Sequence, residues 1–425
     1  MKSALSLSLS ILVGVILPTF GQDAPSASPI DANSFEELPE LKASEILKPE
    51  FLKGPHFTVR ESVPTGSGMN QFAIDSDYGV FDADGNIMLM QRIGEVAAIA
   101  QLKDVSRTDQ FKQSLATAAK GPLNAAKSVV QDPGGAVSSA GKGIMKFMKR
   151  TGDTVKHVSQ GRAEKNTEGN KGEQLIGYAR TKRQVAARLG VDPYSTNAVL
   201  QKELDGIAWA SWGGGFAFSA ATFPIGGAVG LGLTATSVSK TMGNLINNKT
   251  PTELKAINRS ALRAMGVSAN DTERFVENSA FSPTQQTALT LELKELEGVE
   301  NRGAFVHVAG QKSSNEADAL FCVQTAMLMS QIHSSEHPLA RIVMLENFPV
   351  GVGKDGMVVV ALQWDYAAWT SGAAAFTSQI QELANQSGNK GVLVALSGDA
   401  SPRLKQELEA RHFTVRDRLS PGPLK

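Results

Sequence analysis

The rhythm of apolar and polar positions changes several times along this chain, and each change predicts a different kind of structure. Ala4 to Leu17 is a predominantly apolar run behind a single positive charge at Lys2. It is too short to span a bilayer comfortably, and Thr19 and Gly21 are small residues before a cut at Gly21/Gln22. Residues 1–21 therefore read as a secretory signal peptide. Residues 22–54 are rich in Pro, Ser, Ala and Glu without a period, which predicts a flexible spacer.

Between His56 and Gln91 the apolar residues fall in short runs separated by turn residues: Phe57-Thr58-Val59, Phe72-Ala73-Ile74, Gly79-Val80-Phe81 and Ile87-Met88-Leu89. This predicts a small antiparallel sheet with Asp84-Gly85 as its clearest hairpin turn. A helical period takes over from Ile93 to Gln101 and from Ser106 to Val130, until Asp132-Pro133-Gly134-Gly135 breaks it. Lys142 to His157 sets Ile144, Phe147 and Met148 against basic residues, as a solvated amphipathic helix would. A polar connector then closes the 55–170 region.

Residues 171–300 predict a helical domain. Gly172 to Leu189 reads as a helix ended by Gly190, and Asp192-Pro193 as the start of the next element. Thr250-Pro251-Thr252-Glu253 and Ser282-Pro283-Thr284-Gln285 both match a capping box with proline at the first helical position, and their helices should stop near Gly266 and Gly298. Within this domain, Gly206 to Ser239 holds no charged residue. Pro224 and Gly226-Gly227 divide it into halves shorter than a span of roughly 20 residues. Gly226 and Gly230, like Ala228 and Gly232, are four apart, so small residues line one helical face. The segment fits a membrane-inserting or oligomerising hairpin that meets a membrane or protein partner through 206–239, or a hairpin of the helical core. Gly213-Gly214-Gly215 argues for the core, because a break in lipid leaves backbone groups unsatisfied.

From residue 301 to 425 short apolar strands alternate with amphipathic helices. Strands are expected at Ala304–Ala309, Arg341–Glu346, Met357–Gln363, Val392–Leu396 and Phe413–Val415. Helices are expected after a Ser313/Glu316 cap, over Ser371–Ala384 and from Ser401-Pro402, with Gly351 to Gly356 as a connection between strands. This predicts an α/β sandwich, and the whole chain an α+β fold with a small N-terminal β-hairpin region.

Composition narrows the function. Lys plus Arg number 42 and Asp plus Glu 42, so no net field points to nucleic acid. One cysteine, Cys322, excludes an intramolecular disulfide and sits among apolar residues as a core thiol. His333-Ser334-Ser335-Glu336-His337 spells a zinc-protease pattern in which His333 and His337 would bind metal, with Glu407 or Glu409 as a third ligand. Pro338, however, pushes His337 out of the helix on which such a pair depends. Asp82-Ala83-Asp84-Gly85-Asn86 lacks the sixth-position glycine of a calcium loop. Ala140 to Gly143 and Gly351 to Gly356 resemble phosphate and dinucleotide loops but read as turns, and no cofactor is expected. The one stretch placed where α/β domains bind ligands is Ser397-Gly398-Asp399 with the Ser401-Pro402 helix start, which would suit a small anion.

The signal segment, the Tyr178-Ala179-Arg180 helix, the Asp192-Pro193-Tyr194-Ser195-Thr196-Asn197 stretch and the Gly-rich hairpin together resemble a family of uncharacterised exported bacterial proteins with no assigned activity. The resemblance implies a bacterial envelope setting and nothing about chemistry. The expectation is thus a periplasmic or secreted protein, non-enzymatic, that binds or assembles. The alternative is a hydrolase, with or without metal, using the C-terminal α/β domain.

Overall fold

A computed structural model of the chain describes residues 35–120, 174–219, 237–419 and 422–425. The expected signal peptide, residues 22–34 of the expected spacer, the Lys142–His157 helix, the phosphate-loop-like Ala140–Gly143 and the glycines Gly226, Gly230 and Gly232 lie outside these residues. Residues 35–54 of that spacer, by contrast, are described and carry short strands and helices, with Ala43 and Leu47 fully buried.

Alternating burial builds the first sheet from β1 (Glu40–Lys42), β2 (Lys53–Gly54), β3 (Phe57–Val59), β4 (Ser62–Gly66), β5 (Met69–Ser76) and β6 (Gly79–Asp84). Its order is β1-β4-β5-β3-β2, with β6 also on β5, and every pair is antiparallel. Two short helices, α1 (Ala43–Ile46) and α2 (Pro49–Leu52), fill its first links. Phe57, Val59, Phe72 and Ile74 bury against Ile87, Leu89 and Ile93 of α3 (Asn86–Ser106).

Here the structure corrects two expectations. Asp84-Gly85 is not a hairpin turn, and Ile87-Met88-Leu89 is the first turn of α3 rather than a strand. Gly85, at φ 106°, swings the chain from β6 directly into the helix. The helix has no local side-chain cap; the amide of Asn86 donates instead to the carboxylate of Asp365, 279 residues away, at 2.9 Å.

Helices fill the middle: α4 (Asp109–Lys120), α5 (Gln174–Leu189), α6 (Ala198–Gly214), α7 (Ser237–Asn248), α8 (Pro251–Ala264), α9 (Ala269–Val276) and α10 (Pro283–Glu295). Both expected capping boxes form, at Thr250 and Ser282, and Gly190, Gly266 and Gly298 take left-handed φ just past their helices. Asp192-Pro193 does not open a helix. Asn197 does, its side chain accepting the amides of Val199 and Leu200. Asp192 instead accepts from the Tyr194 amide and the Thr284 hydroxyl, and burial pushes its carboxyl up to about 6. Beside it, Arg92 bonds Glu95, Glu316 and Thr196, and Glu95 accepts from Ser195 and Asn197. This tethers α3 to both the 190–197 loop and the following helices.

The first part of the uncharged segment packs into the protein. Ile207, Ala208, Trp209 and Ala210 of α6 are buried, followed by Phe216 and Phe218. Gly214 lies so close to α4 that a Cβ would meet the Ser114 carbonyl oxygen at 1.9 Å, so the glycines here allow helix packing. Among the described residues, no helix is long and apolar enough to cross a membrane.

The C-terminal region begins with α11 (Arg302–Lys312) and α12 (Glu316–Ser335), then β7 (Leu339–Leu345), β8 (Phe348–Gly353), β9 (Val358–Leu362), β10 (Tyr366–Ala367), α13 (Ser371–Gln386), β11 (Val392–Leu396), β12 (Asp399–Ala400), α14 (Pro402–Glu409) and β13 (Phe413–Arg416). The sheet order is β13-β11-β9-β8-β7, parallel from β13 to β9 and antiparallel from there to β7. Its two faces alternate residue by residue. Val359, Ala361, Leu393 and Ala395 face one core with α10, α11 and α12, and that core continues back to Met242 in the helical region. Val358, Val360, Leu362, Val392 and Val394 face a second core with α13 and α14.

Three expectations change in this region. Ala304–Ala309 is helical, because burial at Phe305, Val306, Ala309 and Gly310 follows a helical stripe, and Gly310 brings its backbone within 3.2 Å of Phe275 for an ideal Cβ. The cap of α12 is Asn315, which accepts the Asp318 amide, not Ser313. Gly351 and Gly353 belong to an unforeseen strand, β8, with the turn at Lys354–Gly356. A side chain at Gly351 would strike Leu339. The protein is α+β, with an antiparallel N-terminal sheet, a helical middle and a C-terminal sheet layered between helices.

Candidate functional site

Parallel strands deliver their following loops to one edge of a sheet. In this protein three such loops meet at the carboxyl ends of β9, β11 and β13. Gln363 to Thr370 follows β9, and Ser397 to Ser401 follows β11. The two run side by side as β10 and β12, with Tyr366 opposite Asp399 and Ala367 opposite Ala400. After β13, the Arg418 amide donates to Gly398 and the Leu419 amide to Leu396. Close approach at this junction demands glycine. An ideal Cβ on Gly398 would fall 2.2 Å from the Asp365 carbonyl oxygen, and one on Gly68, at the tip of the β4–β5 hairpin, 2.4 Å from Trp364. The carbonyl of Gly68 accepts the Asp365 and Tyr366 amides, so the N-terminal sheet is docked onto this edge.

The extended run Gln363-Trp364-Asp365-Tyr366 points alternate side chains to opposite sides, as extended backbone must. Gln363 and Asp365 line a polar cavity of about 250 Å³; Trp364 and Tyr366 line an open groove of about 480 Å³. Phe348 forms the floor of the groove. Its ring lies 5.7 Å from Trp364 at 80° and 5.3 Å from Phe376 at 60°. The opposite wall is the first turn of α13, where Thr370 accepts the Ala373 amide, and Gly372 and Ala373 keep that wall low. Glu346 and Asn347 stand on the rim.

In the cavity, Asp365 is 1% exposed. One carboxylate oxygen accepts the amides of Asn70 at 3.1 Å and Asn86 at 2.9 Å, and the other accepts Nε2 of Gln363 at 3.1 Å. Burial pushes this carboxyl up to about 7 against the opposing pull of those three donors. Gln363, also buried, leaves its Oε1 without a partner. Lys48, Arg418 and Lys425 complete the cavity walls with Asn86 and Ser397.

The sequence-predicted residues are only partly brought together. Ser397 lines the cavity and donates its hydroxyl to the Trp364 carbonyl at 2.9 Å. Asp399 pairs with Arg418 beside it, whereas Ser401 caps α14 and donates to Glu36. His333 and His337 do not share a helical face. α12 ends at Ser335, Nδ1 of His333 accepts the Leu339 amide at 2.9 Å, and the His337 amide closes back on Ile332. Burial also lowers the affinity of His333 for a proton. Glu336 is paired with Arg416, and Glu407 with Arg403 and Arg411. Among the described residues, no three His, Cys, Asp or Glu side chains are arranged to hold a metal ion. Cys322 is a buried free thiol that burial pushes up to about 12, which leaves it unreactive.

Sequence reasoning missed the 363–370 loop. Its available signal was the alternation of amide, aromatic, carboxylate and aromatic immediately after a continuous apolar strand. Compared with known proteins, the chain matches no family model, no curated protein and no solved structure.

Proposed function

We propose that this is an exported, non-enzymatic binding protein of the periplasm or the extracellular space, and that its ligand is a small ring-bearing molecule held in the groove between Trp364 and α13. The carrying observation is the groove itself. It has about 480 Å³ of space at the carboxyl edge of a sheet, an aromatic floor of Phe348, Trp364 and Phe376, and a polar rim. Ligand pockets commonly span about 300–1,000 Å³ and combine such a floor with a few orienting polar groups. A ring stacked there would gain apolar burial, and an electronegative substituent would face the positive end of the 16-residue helix.

The hydrolase reading has one observation in its favour, a carboxyl near neutrality at Asp365. Its oxygens, however, are engaged by donors that join β5, α3 and the 363–370 loop. That arrangement supports a structural hub better than a general acid or base.

Thermal-shift screening of the purified mature protein against sugars, nucleosides and aromatic acids tests the binding reading. A saturable stabilisation by one ring class is expected in the wild type and should vanish in Gly372→Phe, which fills the groove. If the hit survives in Gly372→Phe, or no class stabilises the protein, the reading fails. Export is tested separately by N-terminal sequencing of the protein recovered from outside the cytoplasm, where Gln22 is expected first.

A further inference from the structure

The polar cavity on the other side of the 363–367 loop is a separate space with its own chemistry. At about 250 Å³ it has the volume of about eight water molecules at roughly 30 Å³ each, enough for a small metabolite and too little for a large one. Its lining offers two kinds of group. Acceptors come from the Asp365 carboxylate and Oε1 of Gln363, a buried amide oxygen with no partner. A buried acceptor left unpaired carries a desolvation cost that a ligand N–H or O–H would relieve. Cations come from Lys48, Arg418 and Lys425 in the wall. Lys48 donates to the Gly422 carbonyl at 3.0 Å, Lys425 to the Ser44 carbonyl, and Arg418 to Asp399 and the Lys425 backbone oxygen. Each lysine ammonium has three N–H groups, and the guanidinium five, so donors remain for an anion after these bonds.

We infer that this cavity binds a small carboxylate carrying a hydrogen-bond donor on the adjacent carbon, the chemistry shared by α-amino and α-hydroxy acids. Its carboxylate lies toward Lys48 and Arg418, and its donor satisfies Oε1 of Gln363. A simple carboxylate leaves that oxygen unpaired, and a simple ammonium ion meets the cations without an anion to offer them. Ser397, also in the lining, provides a hydroxyl oxygen that can still accept while it donates to the Trp364 carbonyl.

Isothermal titration calorimetry on the mature protein tests this with four probes: L-alanine, L-lactate, acetate and methylammonium. One-to-one binding of alanine or lactate, at least tenfold tighter than acetate and methylammonium, is expected. The stronger of the two names the source. Lys48→Met should weaken it at least fivefold, and Gln363→Met should abolish the preference for lactate or alanine over acetate. Ser397→Val, which narrows the cavity from a position outside the hydrogen-bond hub, should block binding even if Gln363→Met does not fold. Gly372→Phe should leave the titration unchanged, so failure of the groove reading and failure of this one are distinguishable. No heat from either alanine or lactate at millimolar concentration overturns the proposal, as does equal binding of acetate and lactate, or wild-type affinity in Ser397→Val.

Discussion

Two buried carboxyls occupy very different places in this protein, and both are pushed up to about 7 by burial: Asp365 at the carboxyl edge of the C-terminal sheet, and Glu292 in the α10–α12 interface. Each is 1% exposed. Asp365 receives three donors from three parts of the chain and borders a cavity. Glu292 receives one, the Ser330 hydroxyl at 2.6 Å, while its second oxygen has no partner. The same displacement therefore marks a satisfied junction in one region and an under-satisfied polar group in the other. A raised carboxyl alone does not identify a functional site; its hydrogen-bond inventory and adjoining space do.

Removing each carboxyl separates the two cases, and the larger effect belongs to Asp365. Asp365→Ala strands the amides of Asn70 and Asn86 and the Gln363 side chain at once. At about 1–3 kcal/mol for each buried unsatisfied donor, with partial relaxation, the expected loss is about 3–5 kcal/mol. Urea denaturation at neutral pH measures it. A loss below 1 kcal/mol would show that the hub is not what joins the N-terminal sheet to this edge.

The contrast also explains which parts of the fold could be read from the chain. Val392–Leu396 is continuous apolar sequence and emerges as β11 with the expected bounds, and the Thr250 and Ser282 caps depend on residues three apart. Local signals of that kind survive folding. β8 was hidden because Pro349, Gly351 and Gly353 resemble a loop, and Gly351 is small for the sake of Leu339 across the strand pair. The start of α3 was hidden because its cap comes from Asp365, 279 residues later. At the site, Ser397 was legible from its strand-end position. Asp365 and Gln363 were not, because their partners are brought by β5, α3 and α12.

Glu292→Gln should shift stability in the opposite direction. An unfolded glutamate ionises near 4.5, whereas burial holds Glu292 protonated in the folded chain until about 7. Between these values the native state binds the extra proton, so the stability from protonated Glu292 is complete below about 4.5 and is lost as pH rises through about 7. Glutamine removes that penalty. A gain of about 3 kcal/mol is expected at pH 8 and almost none at pH 4, from roughly 1.4 kcal/mol per pK unit over the interval between 4.5 and about 7. Melting curves at the two pH values check it, and equal shifts at both would assign the effect to packing instead of ionisation.

The smallest effect compares the two regions through their helix caps. Thr370 accepts the Ala373 amide at 3.2 Å and begins the helix that walls the groove; Ser282 accepts the Gln285 amide at 3.2 Å in the helical region, reinforced by Gln285 reaching back to the Ser282 amide. Alanine at either position should cost about 1 kcal/mol, because an N-cap oxygen satisfies one otherwise orphaned amide. The comparison is sharpened by what else changes. Thr370→Ala loosens the first turn of α13 and should weaken the groove ligand severalfold, whereas Ser282→Ala should leave its affinity unchanged. Denaturation and ligand titration on the two variants together separate local support of the groove from general stability. If both lose affinity in proportion to their loss of stability, the first turn of α13 has no special part in binding.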